Sequence, residues 1–203
     1  MGLSRELPPE KLLQVALQAL SRGEPVAIAT IVKKEGSGPR REGSKIVVLK
    51  DGSVYGTLGG GSFEAHVVKT ALQALKEGTP VRKRYSFVGR PVKDAVDTGL
   101  ICGGVLEVFV DVLRPSPRAV VFGVGRVGKP LADLLNFLGF RVVVLDPAQD
   151  LVREDVFPYA EGRYAGSLDE VVAKLKDLVR EEDFVLVTHG EPESDYRVTK
   201  AGF

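Results

Sequence analysis

Ala119-Val120-Val121-Phe122-Gly123-Val124-Gly125-Arg126-Val127-Gly128 is the stretch that decides the fold. Four apolar residues of strand character run into three glycines spaced GxGxxG, and an apolar periodic stretch from Val127 to Leu138 follows. This order opens a dinucleotide-binding unit. The glycines let the backbone turn tightly and approach a pyrophosphate at a helix N-terminus, and an acid closing the next strand hydrogen-bonds a ribose hydroxyl. That next strand is Arg141 to Leu145, and Asp146 closes it. Gly123, Gly125, Gly128 and Asp146 are therefore candidate nucleotide contacts, and an acid at position 146 favours NAD over NADP. The same fingerprint also marks the fold alone, so occupancy and pure architecture both stand at this point.

Downstream, a helix over 168–179 and a strand over 184–187 continue the α/β pattern. Thr188-His189-Gly190 then falls at the carboxyl edge of the sheet, where open α/β folds bind ligands. His189 reads either as a ligand contact or as a structural loop histidine. Upstream, Arg114-Pro115-Ser116-Pro117-Arg118 is the one linker-like composition, and it divides the chain into residues 1–113 and 114–203.

The first part opens on Pro8-Pro9 and a helix whose stripe is Leu12, Leu13, Ala16, Leu17 and Leu20, stopped by Gly23. A strand over 26–32 follows, then a hairpin of 45–49 and 54–57 about Asp51-Gly52. Next come a helix over 62–76 and strands over 81–87 and 105–112. The expected fold class is α/β: a small N-terminal α+β domain followed by a truncated Rossmann-like parallel-sheet domain.

With 203 residues and 44% hydrophobic content, cores are available to both parts. No apolar run reaches the roughly 20 residues of a membrane helix, and residues 1–9 lack the apolar stretch of a secretory leader. One cysteine excludes an internal disulfide framework. We read the protein as cytoplasmic, with no membrane partner. Residues 1–113 carry a net +4 and residues 114–203 a net −3. That asymmetry suits a phosphorylated ligand and is far below what nucleic-acid binding requires. Arg82-Lys83-Arg84 reads as a solvated or edge-strand device.

Three further glycine-rich windows remain. Gly36-Ser37-Gly38-Pro39-Arg40-Arg41-Glu42-Gly43 lies between apolar runs. Gly59-Gly60-Gly61 ends a strand and opens a helix, a second potential anion site because unpaired amides and the helix dipole both favour negative charge there. Ser62 would cap that helix or donate to a phosphate, and Glu64 is an acid in a first turn, favoured by the dipole alone. In Gly99-Leu100-Ile101-Cys102-Gly103-Gly104 the sole cysteine is stripped of bulky neighbours. It is either a small buried hydrophobe or a thiol that a ligand can approach. His66 falls on the polar face of its helix.

In order and spacing these windows resemble the xanthine dehydrogenase accessory factor (XdhC/CoxI) family, above all the triple glycine before Ser62-Phe63-Glu64 and the later Cys102-Gly103-Gly104. The resemblance implies a cofactor chaperone, not an enzyme. It would bind the molybdenum cofactor, help its sulfuration with a cysteine desulfurase, and insert it into an apo molybdenum hydroxylase of the xanthine or carbon monoxide dehydrogenase type. It implies cofactor contacts at Ser37, Arg40, Gly59, Gly60, Gly61, Ser62, Glu64, Cys102 and Gly103, with Cys102 touching molybdenum as a soft thiolate. Gly123, Gly125, Gly128, Asp146 and His189 would hold NAD or another nucleotide. Alternatives of other classes are an NAD-dependent oxidoreductase using Cys102 in its chemistry, and a non-catalytic assembly subunit. Arg126 and Pro147 depart from the family's usual histidine and arginine. Family members also run on past the Thr-His strand, so the second domain is expected to be a half unit with an open sheet edge. That edge implies a homo-oligomer, with residues 191–203 crossing to the partner.

Overall fold

The computed structural model describes residues 7–90 and 92–202, in two compact units that meet between Pro115 and Ser116. In the first, α1 (Pro9–Ser21) precedes β1 (Val26–Glu35), β2 (Lys45–Leu49) and β3 (Val54–Gly56). Then come α2 (Gly61–Glu77), β4 (Val81–Val88), β5 (Ala95–Asp97) and β6 (Ile101–Leu113). The six strands form one sheet in the order β3-β2-β1-β6-β4-β5, antiparallel except for the β4–β5 pair.

Period-two alternation distributes side chains to the two faces. Ala27, Ala29 and Ile31 of β1 join Ile46 and Val48 of β2 against α2, whereas Val26, Val47 and Leu49 face α1. Phe63 anchors α2 by packing edge-on against Tyr85 and Phe87, with ring centroids 5.2 and 5.0 Å away. On α1 the buried residues are Leu12, Ala16 and Ala19, while Leu13 and Leu17 are exposed. The helix is thus rotated from the stripe expected. Arg82 and Arg84 pair across strands with Glu107 and Glu35, so the basic run is held by surface ion pairs.

The second unit comprises β7 (Arg118–Phe122), α3 (Gly128–Phe137), β8 (Arg141–Asp146) and a short 3-10 turn at Gln149–Leu151. β9 (Gly162–Ala165), α4 (Leu168–Leu178), β10 (Phe184–Val187) and α5 (Pro192–Gly202) complete it. Its four strands are all parallel, in the order β10-β7-β8-β9. Ala119 and Val121 face α3, and Val120 and Phe122 face α4 and α5. Strand order reverses between β7 and β10, and the crevice of an open α/β sheet lies at such a point. The glycine turn after β7 sits there.

At the opposite edge Arg118 and Asp183 form a buried bidentate pair, with side chains 7% and 4% exposed and contacts of 2.9 and 2.5 Å. Burial pushes the Asp183 carboxyl up. The Arg118 guanidinium and the Arg180 amide more than offset this, and the net effect is a lowered pKa. α4 starts on a capping box, Ser167 with Glu170.

Four features differ from expectation. β5 and β9 are three and four residues long and carry no apolar run that would announce them. β6 begins at Ile101, so Cys102, Gly103 and Gly104 lie in a strand. Residues 192–202 form α5, whose Ser194 and Val198 are buried within this unit. An arm made of those residues and crossing to a partner is therefore corrected: the polar exterior conceals two inward positions.

Candidate functional site

The first unit draws its three glycine windows into one loop cluster. Its contacts are so close that side chains are excluded: a Cβ on Gly104 would stand 2.0 Å from the Ser37 carbonyl oxygen, and one on Gly59 would stand 2.5 Å from Pro39 Cβ. The Gly36–Gly43 loop thus packs on the Cys102 window at one end and on the triple-glycine turn at the other. Ser62 supplies a third tie by donating its hydroxyl to the Thr98 carbonyl at 2.6 Å. Ser62 is neither a cap nor free for phosphate, which corrects both expectations for it.

Within the turn the glycines differ. All three have positive φ, but Gly59 is packed under Pro39, whereas Gly60 and Gly61 have open space where a side chain would be. Glu64 does more than answer a helix dipole. Its Oε2 accepts the Thr57 hydroxyl at 2.7 Å, the Leu58 amide at 2.7 Å and the Gly60 amide at 3.2 Å, and the Gly59 amide donates to Thr57 Oγ1 at 3.1 Å. An internal carboxylate therefore already sits where an anion was expected, and the open-amide reading of Gly59 and Gly60 is corrected. No side chain caps α2 among the described residues, so Gly61 and Ser62 supply the first-turn amides.

Beside them runs a groove of about 1510 Å³ along α2, lined by Arg40, Tyr55, Gly60, Gly61, Lys69 and Lys76 among others. A second concavity of about 710 Å³ is lined by Lys34, Arg41 and Lys45, and Arg40 and Thr57 border both. Cys102 is exposed and lines neither. Ser37 is exposed and meets the cluster through its backbone, and Gly103 is an exposed strand residue packed on Gly36. His66 is exposed, its Nδ1 2.7 Å from the Ser62 carbonyl. Among the described residues no group of three or more His, Cys, Asp or Glu could hold a metal ion.

In the second unit the glycine turn closes on its own acid. Asp146 is 2% exposed; its Oδ2 accepts the Val124 amide at 2.8 Å and its Oδ1 the Ala148 amide at 2.8 Å. It locks the turn to β8 instead of facing a ribose. This corrects both the ribose contact and the preference for NAD drawn from it. A Cβ on Gly128 would stand 1.9 Å from the Gly123 carbonyl oxygen, and one on Gly123 would stand 2.2 Å from the His189 amide nitrogen. Those two glycines serve packing. Gly125 alone of the three has open space.

Thr188 donates its hydroxyl to the Gly123 carbonyl at 2.6 Å, so β10 delivers the Thr-His-Gly segment directly onto the turn. The His189 ring lies 5.4 Å from that of Phe122; its buried Nδ1 has no hydrogen-bond partner among the described residues, with the Glu191 carboxylate 3.9 Å away. At the start of α3, Lys129 and the Tyr159 hydroxyl both bind Asp133, at 2.6 and 2.5 Å. These two bonds hold the Asp133 carboxyl below its ordinary value, while burial and the same carboxylate push the Tyr159 phenol up. Sequence reading missed this trio and the Arg118–Asp183 pair. Lys129 and Asp133 are at helical i,i+4 spacing and were legible, whereas Tyr159 and Asp183 lie 26 and 65 residues from their partners and leave no local signal.

A glycine-lined α+β unit followed by a Rossmann-like unit with its glycine turn at the switch point defines a two-part class of protein. The chain belongs to the XdhC and CoxI family: residues 19–86 match the description "XdhC and CoxI family" and residues 119–203 match "XdhC Rossmann domain". It is 36% identical over 165 residues to the uncharacterized protein YqeB of Escherichia coli K12, covering 80% of this chain and 29% of that protein. It is 32% identical over 145 residues to the molybdenum cofactor insertion chaperone PaoD of the same organism, covering 70% of this chain and 41% of that one. The chain thus spans well under half the length of these curated relatives. A Bacillus halodurans structure described as a xanthine dehydrogenase aligns with 92% of this chain and 77% of its own, at 19% identity and a TM-score of 0.42. That likeness is too loose to carry an argument.

Proposed function

We propose that this chain is an accessory factor that holds the molybdenum cofactor on its first unit, shields it during sulfuration by a cysteine desulfurase, and passes it to an apo molybdenum hydroxylase. Its part is binding and delivery, without catalysis of its own. The observation that carries this reading is the convergence of the three glycine windows, which clears side chains from one loop cluster holding both a helix-opening glycine turn, open at Gly60 and Gly61, and the only thiol. Similarity to PaoD, an insertion chaperone for that cofactor by its name, supports the class of cargo.

The residues present fit such a cargo in two parts. Gly61 and Ser62 amides, with the Arg40 guanidinium across the groove, suit a phosphate. Cys102, exposed on β6, suits a soft metal, because a thiolate is a deprotonatable and polarizable ligand. When bound, the cofactor supplies the redox-active metal that the client hydroxylase uses. An oxidoreductase reading loses its ribose contact to the internal role of Asp146. Self-association along β10, which among the described residues pairs with β7 alone and exposes Phe184 at 55%, belongs to the same proposal. So does a cytoplasmic setting; no helix among the described residues is long and apolar enough to cross a membrane.

Anaerobic co-expression with a molybdenum hydroxylase, followed by molybdenum analysis and pterin fluorescence of the purified chain, tests the reading. The wild type should retain the cofactor, and Cys102→Ser should lose most of it with an unchanged thermal midpoint. Equal retention by the variant would remove the thiol from the site, and an empty wild type would overturn the cargo.

A further inference from the structure

Beyond the carboxyl ends of β8 and β9 lies a cavity of about 420 Å³, lined by Pro147, Gln149, Val152, Arg153, Arg163 and Gly166 among others. Nothing in the cofactor-delivery reading uses it. One residue connects it to the glycine turn: Asp146 grips Val124 in the turn with one oxygen and Ala148, beside the cavity, with the other. A nucleotide whose 5′-phosphate approaches the open side of Gly125 would bring its ribose to this cavity, as the geometry of such crevices dictates.

The sign of charge there differs from what Asp146 suggests in the sequence. Its carboxylate is buried, with each oxygen turned to a backbone amide, so it is held inside the turn and not aimed at the cavity as a ribose contact would be. Two guanidiniums line the cavity instead. Arg153 is matched by Asp155 through two contacts of 2.9 Å and brings no net charge. Arg163 is half-buried and oriented by its Nε, which donates to the Phe157 carbonyl at 3.0 Å; among the described residues its terminal nitrogens have no acceptor. An oriented guanidinium with its fork unspent matches a phosphate monoester.

We infer that this cavity recognises a phosphate monoester carried on the ribose of a nucleotide, with Arg163 as the specificity-determining residue. The inference concerns the second unit alone, so its failure leaves cofactor retention by the first unit untouched, and the reverse also holds.

Calorimetry of the full chain at low salt with 2′,5′-ADP, 3′,5′-ADP, 5′-AMP and inorganic phosphate tests it. One bisphosphate should bind about tenfold more tightly than 5′-AMP, the scale of one charge-assisted contact. The preferred isomer identifies which ribose hydroxyl carries the phosphate. Arg163→Met should erase that advantage while leaving 5′-AMP binding as it was, and Arg163→Lys should retain part of it. Thermal midpoints check that both variants fold; if Arg163→Met does not, the wild-type ligand series decides alone. Equal affinity for 5′-AMP and both bisphosphates overturns the inference, as does the absence of nucleotide binding at millimolar concentration. Inorganic phosphate binding as tightly as the bisphosphates would mean an adventitious ion only, and would overturn it too.

Discussion

Each unit starts a helix from a glycine turn and closes that turn with a carboxylate of its own, but the two carboxylates come from different places. Glu64 reaches back from the first turn of α2 to Thr57, Leu58 and Gly60, all within seven residues, at the rim of an open groove. Asp146 reaches across from the neighbouring strand to Val124, 22 residues away, and is sealed in the interior. A local acceptor at a rim can be exchanged for a ligand, because water and solute reach the amides it leaves. An interior acceptor cannot, because removing it strands buried donors. Glycine-rich turns that look alike in sequence therefore differ in what they can bind.

The largest effect that would sharpen this contrast comes from the second unit's other interior charge. Arg118→Ala leaves Asp183 buried without its partner and should cost about 3–5 kcal/mol. Hydrogen exchange should show the loss in residues 116–202, with the first unit's sheet unaffected. A cost below about 1 kcal/mol would mean that the pair is solvated, and the contrast between sealed and open charges would fail. The same pair sets an acid limit. The Asp183 carboxyl lies below the 3.8 of an ordinary aspartate, so its stabilising contribution is complete above that unfolded value and is lost as pH falls through the lower, folded one. Acid titration followed by exchange should therefore open the second unit around β7 and β10, and Arg118→Ala should weaken or reverse that pH dependence, because burial then pushes the Asp183 carboxyl up against the Arg180 contacts alone.

Next in size are the fingerprint glycines. Gly128→Ala forces a methyl group against the Gly123 carbonyl and should cost about 1–3 kcal/mol as overpacking. Gly125→Ala meets open space and should change stability by no more than about 0.5 kcal/mol. Urea denaturation followed by circular dichroism separates the two, and equal costs would show that Gly125 is also a packing glycine. The smallest effect concerns the rim. Glu64→Ala should cost about 1 kcal/mol while strengthening phosphate binding by the first unit, because the Leu58 and Gly60 amides become available to an anion. Calorimetry with inorganic phosphate on the variant and on the wild type checks this; unchanged or weaker binding would mean that the glutamate organises the turn and does not occupy a ligand's place.

The framework was legible because its signals are local. Strand, glycine turn and helix follow one another at 119–137, and Asp51-Gly52 marks its hairpin without help from distant residues. Phe63 could be assigned to the buried stripe of α2 by periodicity alone. The chemistry of the turns was less legible, because it depends on which acceptor folding brings to which amide. Asp146 has the residue type and position expected of a ribose contact, yet its direction is set by Val124 and Ala148. Cys102 could be singled out by its glycines, but only the β6 ladder decides that it is exposed on a strand. α5 escaped notice because its two inward residues, Ser194 and Val198, are a single pair at helical spacing in a polar segment.

The order β10-β7-β8-β9 also imposes a timetable on a chain synthesised from its N-terminus. β8 and β9 can join β7 as soon as they emerge, but the other edge of β7 waits for residues 184–187, and Arg118 waits for a partner 65 positions later. At about 5–20 residues per second, that interval lasts roughly 3 to 13 s, during which the apolar run Ala119 to Phe122 is a strand with one side unpaired. The first unit has all of its strands by Leu113 and is free to fold while the second is still waiting. The nascent protein therefore spends those seconds as a finished domain joined to an adhesive one.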